Sequence, residues 1–214
     1  MKKILVTGCT GQLGRAINKE YAGSGAELVN TDVQAAEGVL ALDITSIEDV
    51  LGLVRQVQPD VIINCAAHTA VDLCEQQWDS AYRINAIGAR NLSIAAAEVD
   101  AKMIHVSTDY VFDGNGTRPY TEFDPVGPVS AYGKTKLEGE NFVKEFVRKH
   151  VILRTAWLYG DGKNFIKTML RLSESHSQVT VVNDQLGSPT SAAELARMIH
   201  FLEPTENYGL FHAT

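Results

Sequence analysis

Short, continuously apolar runs alternate along the chain with longer stretches in which apolar positions recur at helical spacing. The runs are Ile4-Leu5-Val6, Glu27-Leu28-Val29, Val61-Ile62-Ile63-Asn64, Met103-Ile104-His105-Val106 and His150-Val151-Ile152-Leu153, and residues 12–23, 46–57, 79–99 and 132–148 carry the helical pattern between them. Strands this short and this apolar suit burial on both faces, as in a parallel sheet. Their alternation with helices is that of βαβ units, so the pattern predicts an open, doubly wound parallel sheet with helices on both sides. Past residue 157 the alternation loosens: a helix is expected over 163–173, a strand at Val179-Thr180-Val181-Val182 and a helix over 191–202. The last residues, Gly209 to Thr214, read as the start of a further strand, which suggests that a C-terminal part is missing. Residues 113–130, with Gly114, Gly116, Pro119, Pro125, Gly127 and Pro128, read as a long loop of the kind that more often serves function than decoration.

Composition narrows the class. With 45% hydrophobic and 21% charged residues over 214 positions, the chain can bury a full core without disulfides or a structural metal. No apolar run approaches the roughly 18 residues a membrane helix needs, and the apolar start after Lys2-Lys3 is too short for a signal peptide. Cys9, Cys65 and Cys74 lack metal-ligand spacing, so a cytoplasmic protein with reduced thiols and no bound metal is expected. A net charge of −7 argues against a nucleic-acid partner but not against small anions, which helix N-termini and backbone amides hold well.

Candidate chemistry begins where the first strand runs into Thr7-Gly8-Cys9-Thr10-Gly11-Gln12-Leu13-Gly14 and a helix. In such a turn Gly8 serves the tight bend, Gly11 lets a pyrophosphate reach the backbone, and Gly14 lets the helix pack closely. Asp32 follows the second strand, where a carboxylate can hold an adenosine ribose and disfavour a 2′-phosphate, or act as a turn residue. Asp43-Ile44, in the turn before the helix at 46, could flank an adenine or simply begin the turn. Tyr132 and Lys136 in Tyr132-Gly133-Lys134-Thr135-Lys136 share one helix face. A phenol beside an ammonium and a nicotinamide is expected to move from its usual value near 10 toward the working range. A Rossmann-type NAD(P)-binding domain is therefore expected over residues 1–156, a further lobe over 157–187, and a return helix and strand over 188–214.

Gly8/Gly11/Gly14, Asn64-Cys65-Ala66-Ala67, Ser107-Thr108 and Tyr132/Lys136 together resemble the extended short-chain dehydrogenase/reductases. Ala66-Ala67-His68-Thr69-Ala70-Val71-Asp72, Ser107 to Gly114, Arg154 to Gly160 and Asp184 to Thr190 are similar to the dTDP-4-dehydrorhamnose reductase family. The resemblance covers essentially the whole chain, and members of that family continue for several tens of residues beyond its last position. It implies reduction of the C4 ketone of a dTDP-sugar with NADPH or NADH. By the matching motifs, Tyr132 would donate the proton, Lys136 would tune it and hold the ribose, and Thr108 would polarise the carbonyl. Gly11, Gln12 and Leu13 would meet the pyrophosphate, Asp32, Asp43 and Ile44 the adenosine, and Ala67, His68 and Thr69 the cofactor after the third strand. Thr108, Asp109 and Trp157 would contact the sugar nucleotide, completed by the missing part of the 157–187 lobe, with Asn164-Phe165 near the thymidine. A homodimer, in some members paired through Mg²⁺, enters with the resemblance, but the sequence shows no ligand cluster that would assign the ion. Two alternatives remain open: a non-catalytic NADP-binding regulatory subunit, like that of methionine adenosyltransferase, and a sugar-nucleotide epimerase.

Other residues read better as structure. Cys65 reads as a small core residue, Cys9 as a backbone contributor and His68 as lining rather than catalytic. Asn85 either supports the site through water or packs its helix, and Trp157 competes with an ordinary core aromatic.

Overall fold

The computed structural model describes residues 1–214. Seven parallel strands form one sheet. In chain order, β1 (Lys3–Thr7) leads to α1 (Gln12–Glu20), β2 (Glu27–Asp32), β3 (Leu40–Ala41), α2 (Ile47–Val57) and β4 (Val61–Asn64). After α3 (Val71–Gln76), α4 (Trp78–Tyr82) passes through a π-helical turn at Arg83–Ile87 into α5 (Gly88–Glu98). β5 (Lys102–Thr108) ends in a 3-10 turn at Asp109–Val111; α6 (Ala131–Phe146) and β6 (His150–Thr155) follow. β7 (Leu158–Tyr159), α7 (Phe165–Ser173), β8 (Thr190–Ser191), α8 (Ala192–Leu202) and β9 (Gly209–His212) complete the chain. The spatial order β3-β2-β1-β4-β5-β6-β9 reverses direction between β1 and β4, and ligands of doubly wound sheets bind outside the strand ends at such a point.

The alternation of side chains along each strand sorts the core into two layers. Ile4, Val6, Ile63, Ile104 and Leu153 pack under α1 and α8 with Ile17, Leu195 and Ile199. Leu5, Ile62, Met103 and Ile152 pack under α2, α5 and α6 with Val50, Val54, Leu92 and Val143. Each fully buried side chain of this kind contributes about 1.5–3 kcal/mol.

Two residues beyond Leu5, Ile62 and Met103, the same face turns polar. Thr7, Asn64 and His105 stand in register on β1, β4 and β5. Thr7 Oγ1 donates to Asn64 Oδ1 at 2.7 Å, and Asn64 Oδ1 also accepts from Ala66 N at 3.1 Å. That fixes the amide, so Asn64 Nδ2 donates to His105 Nδ1 at 3.0 Å and leaves the imidazole proton on Nε2. His105 is fully buried, and its pKa lies well below the usual value because of burial and then the neighbouring Lys136.

Val179–Val182 forms no strand: Val181 and Val182 are 51% and 70% exposed, and the apolar run finds no strand edge to pair with. The 113–130 loop, by contrast, is held by its own side chains. Asp113 accepts from Asn115 N and the Tyr120 hydroxyl, Asp124 takes two bonds from Arg118, and Tyr120 stacks on Phe112 with centroids 4.2 Å apart.

Because His105 is neutral when folded and protonates near its ordinary value of about 6.5 when unfolded, stability falls as pH drops through that value. His105→Gln keeps an acceptor for Asn64 and should abolish this share. Urea unfolding at pH 7 and pH 5 should show the variant losing less stability on acidification than wild type, by up to about 2 kcal/mol. Equal losses would show that His105 is not a buried neutral group.

Candidate active site

The loop from β1 to α1 is a backbone cradle. Gly8 adopts φ +64°, and a Cβ there would lie 2.8 Å from Ala66 N, so the turn closes only on glycine. A Cβ on Gly14 would sit 2.4 Å from Cys9 Cα and the Gly8 carbonyl, because the first turn of α1 lies directly on the loop. Gly11 differs: its Cβ would approach only the Gly8 carbonyl, at 3.2 Å, and its outer side is open. Gly11 is also the N-cap of α1 and supplies no capping side chain, leaving first-turn N–H groups free for an anion. Gln12 is half-buried, whereas Leu13 is a core side chain, so Leu13 has its backbone to offer a ligand.

Asp32 closes the cradle from β2. Its Oδ2 accepts from Thr10 N at 3.1 Å and Thr10 Oγ1 at 2.6 Å, and its Oδ1 accepts from Val33 N at 2.8 Å. Asp43 accepts from Thr45 N at 2.9 Å as a turn residue. Ile44 is buried in the core, so what this turn shows a ligand is Asp43 and backbone rather than the Ile44 side chain.

Ala67, His68 and Thr69 follow β4 beside this cradle, with Ala67 and His68 half-buried and Thr69 exposed. Asn85 holds the segment directly. Its Oδ1 accepts from His68 N at 2.8 Å, and its Nδ2 donates to the His68 carbonyl and Thr135 Oγ1, each at 3.1 Å. Asn85 lies in the π-helical turn, a distortion frequent at functional sites. Cys74 Sγ lies 3.2 Å from His68 Nδ1. Burial pushes the Cys65 thiol up to about 12, consistent with an unreactive group.

α6 brings the remaining residues. Ser130 caps it by accepting from Gly133 N at 3.0 Å, and Glu75 accepts from Ala131 N at 2.6 Å. Tyr132, in the first turn, packs edge-on against Tyr110 with centroids 5.5 Å apart. Burial raises the Tyr132 pKa above the ordinary phenol value, against the opposing pull of a hydrogen bond with Thr108. Lys136 is not among the groups that shift the Tyr132 phenol, so the expected lowering does not appear, and the phenol is held in its protonated form at neutral pH. Lys136 is itself buried and donates to the Val106 carbonyl at 2.7 Å; burial lowers its amine to about 8, against Glu140 and Cys65, which favour the ammonium. Thr108 Oγ1 accepts from Tyr110 N at 3.2 Å and donates to Asp109 Oδ1 at 3.0 Å, and burial raises the Asp109 carboxyl.

Trp157 is no core aromatic. It is 43% exposed with φ +47°, a strained conformation for a bulky residue of the kind that gathers at ligand sites, and its ring lies against Gly187. Asn164 caps α7 by accepting from Lys167 N and donates to the Gly160 carbonyl and, at 3.4 Å, to Gln12 Oε1, while Phe165 is exposed. No group of three or more His, Cys, Asp or Glu side chains is placed to hold a metal ion. No helix is long and apolar enough to cross a membrane.

Sequence reasoning missed a buried cluster behind these residues. Glu140, one turn beyond Lys136, accepts from Ser107 Oγ at 2.6 Å and from Arg154 Nε and Nη2 at 2.8 Å each. The four-residue spacing from Tyr132 through Lys136 to Glu140 was the available signal.

An open parallel sheet with a glycine cradle at its switch point, and a Tyr–Lys pair on the helix beside it, defines a Rossmann domain of the extended short-chain dehydrogenase/reductase class. The chain belongs to the dTDP-4-dehydrorhamnose reductase family: the model of the RmlD substrate binding domain matches residues 1–214. It is 45% identical over 194 residues to the dTDP-4-dehydrorhamnose reductase of Escherichia coli K12, covering 90% of this chain and 64% of that protein. The crystal structure of a Clostridium acetobutylicum dTDP-4-dehydrorhamnose reductase superposes with a TM-score of 0.95 at 55% identity, covering 99% of this chain and 74% of that one. The Bacillus anthracis enzyme, solved in complex with NADP, superposes with a TM-score of 0.92 at 42% identity over 100% of this chain and 75% of that one. This chain thus spans somewhat less than two thirds of the length of the E. coli relative.

The loop geometry separates Gly14 from Gly11 by experiment. Gly14→Ala should cost at least about 2 kcal/mol, since backbone rather than a yielding side chain blocks the methyl. That corresponds to a fall in melting temperature of several degrees for a chain of this size. Gly11→Ala should change the melting temperature by less than half as much; equal falls would contradict the open side assigned to Gly11.

Proposed function

We propose that the protein reduces the C4 ketone of dTDP-4-dehydro-L-rhamnose to dTDP-L-rhamnose with NADPH or NADH, residues 157–187 forming part of the sugar-nucleotide lobe. The observation that carries this reading is the placement of Tyr132 and Lys136 by α6 against the Val106–Thr108 end of β5, across the switch point from the glycine cradle. Relatives named dTDP-4-dehydrorhamnose reductase support the substrate, and the NADP in complex with the B. anthracis relative supports the cofactor class.

The residues fit a dinucleotide. The open side of Gly11 and the free N–H groups of α1 suit a pyrophosphate, with Gln12 beside them and Leu13 contributing its backbone. Asp32 and Asp43 face the adenosine end, where the Asp32 carboxylate disfavours a 2′-phosphate and so tilts preference toward NADH. Ala67, His68 and Thr69, held by Asn85, line the middle of the crevice.

When bound, the dinucleotide supplies the hydride. Tyr132, protonated at neutral pH, gives its phenolic proton to the C4 oxygen as negative charge develops there. Thr108 turns its hydroxyl from Asp109 to that oxygen and polarises the carbonyl. Lys136 holds the nicotinamide ribose and stabilises the phenolate that Tyr132 becomes. Asp109 and the exposed indole of Trp157 orient the sugar.

Oxidation of NADPH and of NADH, followed by absorbance on the complete protein with enzymatically generated dTDP-4-dehydro-L-rhamnose, tests the proposal. Tyr132→Phe should lower turnover by about 10²–10⁴-fold while leaving dinucleotide binding intact. Isomerised sugar without net cofactor consumption would move the assignment to an epimerase. Cofactor and sugar binding without turnover in the wild type would move it to a non-catalytic subunit.

A further inference from the structure

Tyr132, Lys136 and Glu140 lie one turn apart on a single face of α6, and that face meets three consecutive residues of β5. Lys136 Nζ donates to the Val106 carbonyl at 2.7 Å and Ser107 Oγ donates to Glu140 Oε1 at 2.6 Å, while Thr108 lies close enough to Tyr132 to pull its phenol pKa down against burial. Glu140 is fully buried, yet Arg154, also buried, grips both carboxylate oxygens at 2.8 Å and Lys144 Nζ stands 3.2 Å from Oε2. Burial pushes the Glu140 carboxyl up, but the bonds from Arg154 and Ser107 outweigh it and hold the group ionised.

We propose that Glu140, anchored by Arg154, is a positioning residue that keeps Lys136 in its ammonium form and locks α6 against the Val106–Thr108 end of β5. Of the titratable groups around Lys136, Cys65 just past β4 is a protonated thiol, His105 on β5 is a neutral imidazole and Tyr132 is a neutral phenol. Glu140 is the one that carries charge at neutral pH and opposes the burial that drives Lys136 toward the free amine. Arg154 also reaches beyond the ion pair. Its guanidinium lies 5.1 Å from the Phe112 ring centroid, joining the clamp to the root of the 113–130 loop.

The catalytic consequence rests on the function proposed above, but the titration of Lys136 does not. The Nζ–Cε resonance of Lys136, assigned with Lys136→Arg in protein carrying ¹³C,¹⁵N-lysine, should titrate in the wild type with a midpoint of about 8. In Glu140→Gln the midpoint should fall by about one pH unit or more, since a neighbouring opposite charge is lost and Arg154 is left unopposed. The double variant Glu140→Gln/Arg154→Met removes both charges at similar volume and guards against a buried unpaired guanidinium that prevents folding. Its midpoint should lie between the other two. A midpoint in either folded variant equal to that of the wild type would overturn the proposal, as would a wild-type midpoint below about 7, with no variant needed. On the active protein, the alkaline limb of kcat/KM should move down with the midpoint. A midpoint that moves while the limb stays fixed would uphold the electrostatic role of Glu140 and instead count against the catalytic role of Lys136.

Discussion

A charged group taken out of water must find a partner, and on the buried face of α6 two such groups, Lys136 and Glu140, stand one turn apart. Glu140 is satisfied by Arg154 from β6 and Ser107 from β5, and Lys136 by a single carbonyl, that of Val106. If α6 slid by one turn along β5, both charges would lose their partners together, at a cost of about 3–5 kcal/mol for each broken buried pair. The register of helix on strand is thereby close to all-or-none. Tyr132, one turn further toward the cleft, inherits its position beside Thr108 from that register.

A second polar row lies deeper on the same face of the sheet. Thr7, Asn64 and His105 are in register across β1, β4 and β5, and Ser107, Arg154 and His212 form the next row across β5, β6 and β9. Below both, Leu5, Ile62 and Met103 belong to the apolar core. The change from apolar to polar thus occurs within one side-chain step along β1, β4 and β5, at the ends where the sheet opens toward its crevice. The lower row stays uncharged because His105 cannot take a proton there, and the upper row carries the ion pair. Such stepwise polarity permits a rigid floor under the site without isolated buried charge.

How far this was legible in the sequence depends on the range of the interaction. Four of the five central strands, β1, β4, β5 and β6, are visible because each buries both faces, and the glycine cradle and the Tyr132–Lys136 pair are visible because their members lie within one turn or one helix. Val179–Val182 has the same β-branched composition as those strands but meets no edge, so its propensity finds no ladder to join. The Thr7–Asn64–His105 chain was out of reach: its members are 57 and 41 residues apart, and strand order alone brings them together. Glu140 falls between these cases. Its spacing from Lys136 was readable, but its importance becomes visible only with Arg154, fourteen residues on along the chain, beside it.

The distribution of charge also resolves an apparent conflict between an acidic chain and an anionic ligand. Net charge acts over distances that salt screens, whereas the crevice is governed by fixed groups within a few ångströms. At the β5–α6 end stand the ammonium of Lys136 and the protonated phenol of Tyr132; at the β1–α1 turn stand unpaired N–H groups. At the β2 end stands the Asp32 carboxylate, fixed by Thr10 and Val33. The crevice therefore runs from negative at β2, through anion-binding amides, to cationic at α6. For the dinucleotide proposed above, that gradient suits a ribose hydroxyl at the first position, a pyrophosphate at the second and the phenolate formed by proton transfer at the third. Orientation across the sheet then follows from where the charges are fixed, and the overall charge of the chain has little part in it.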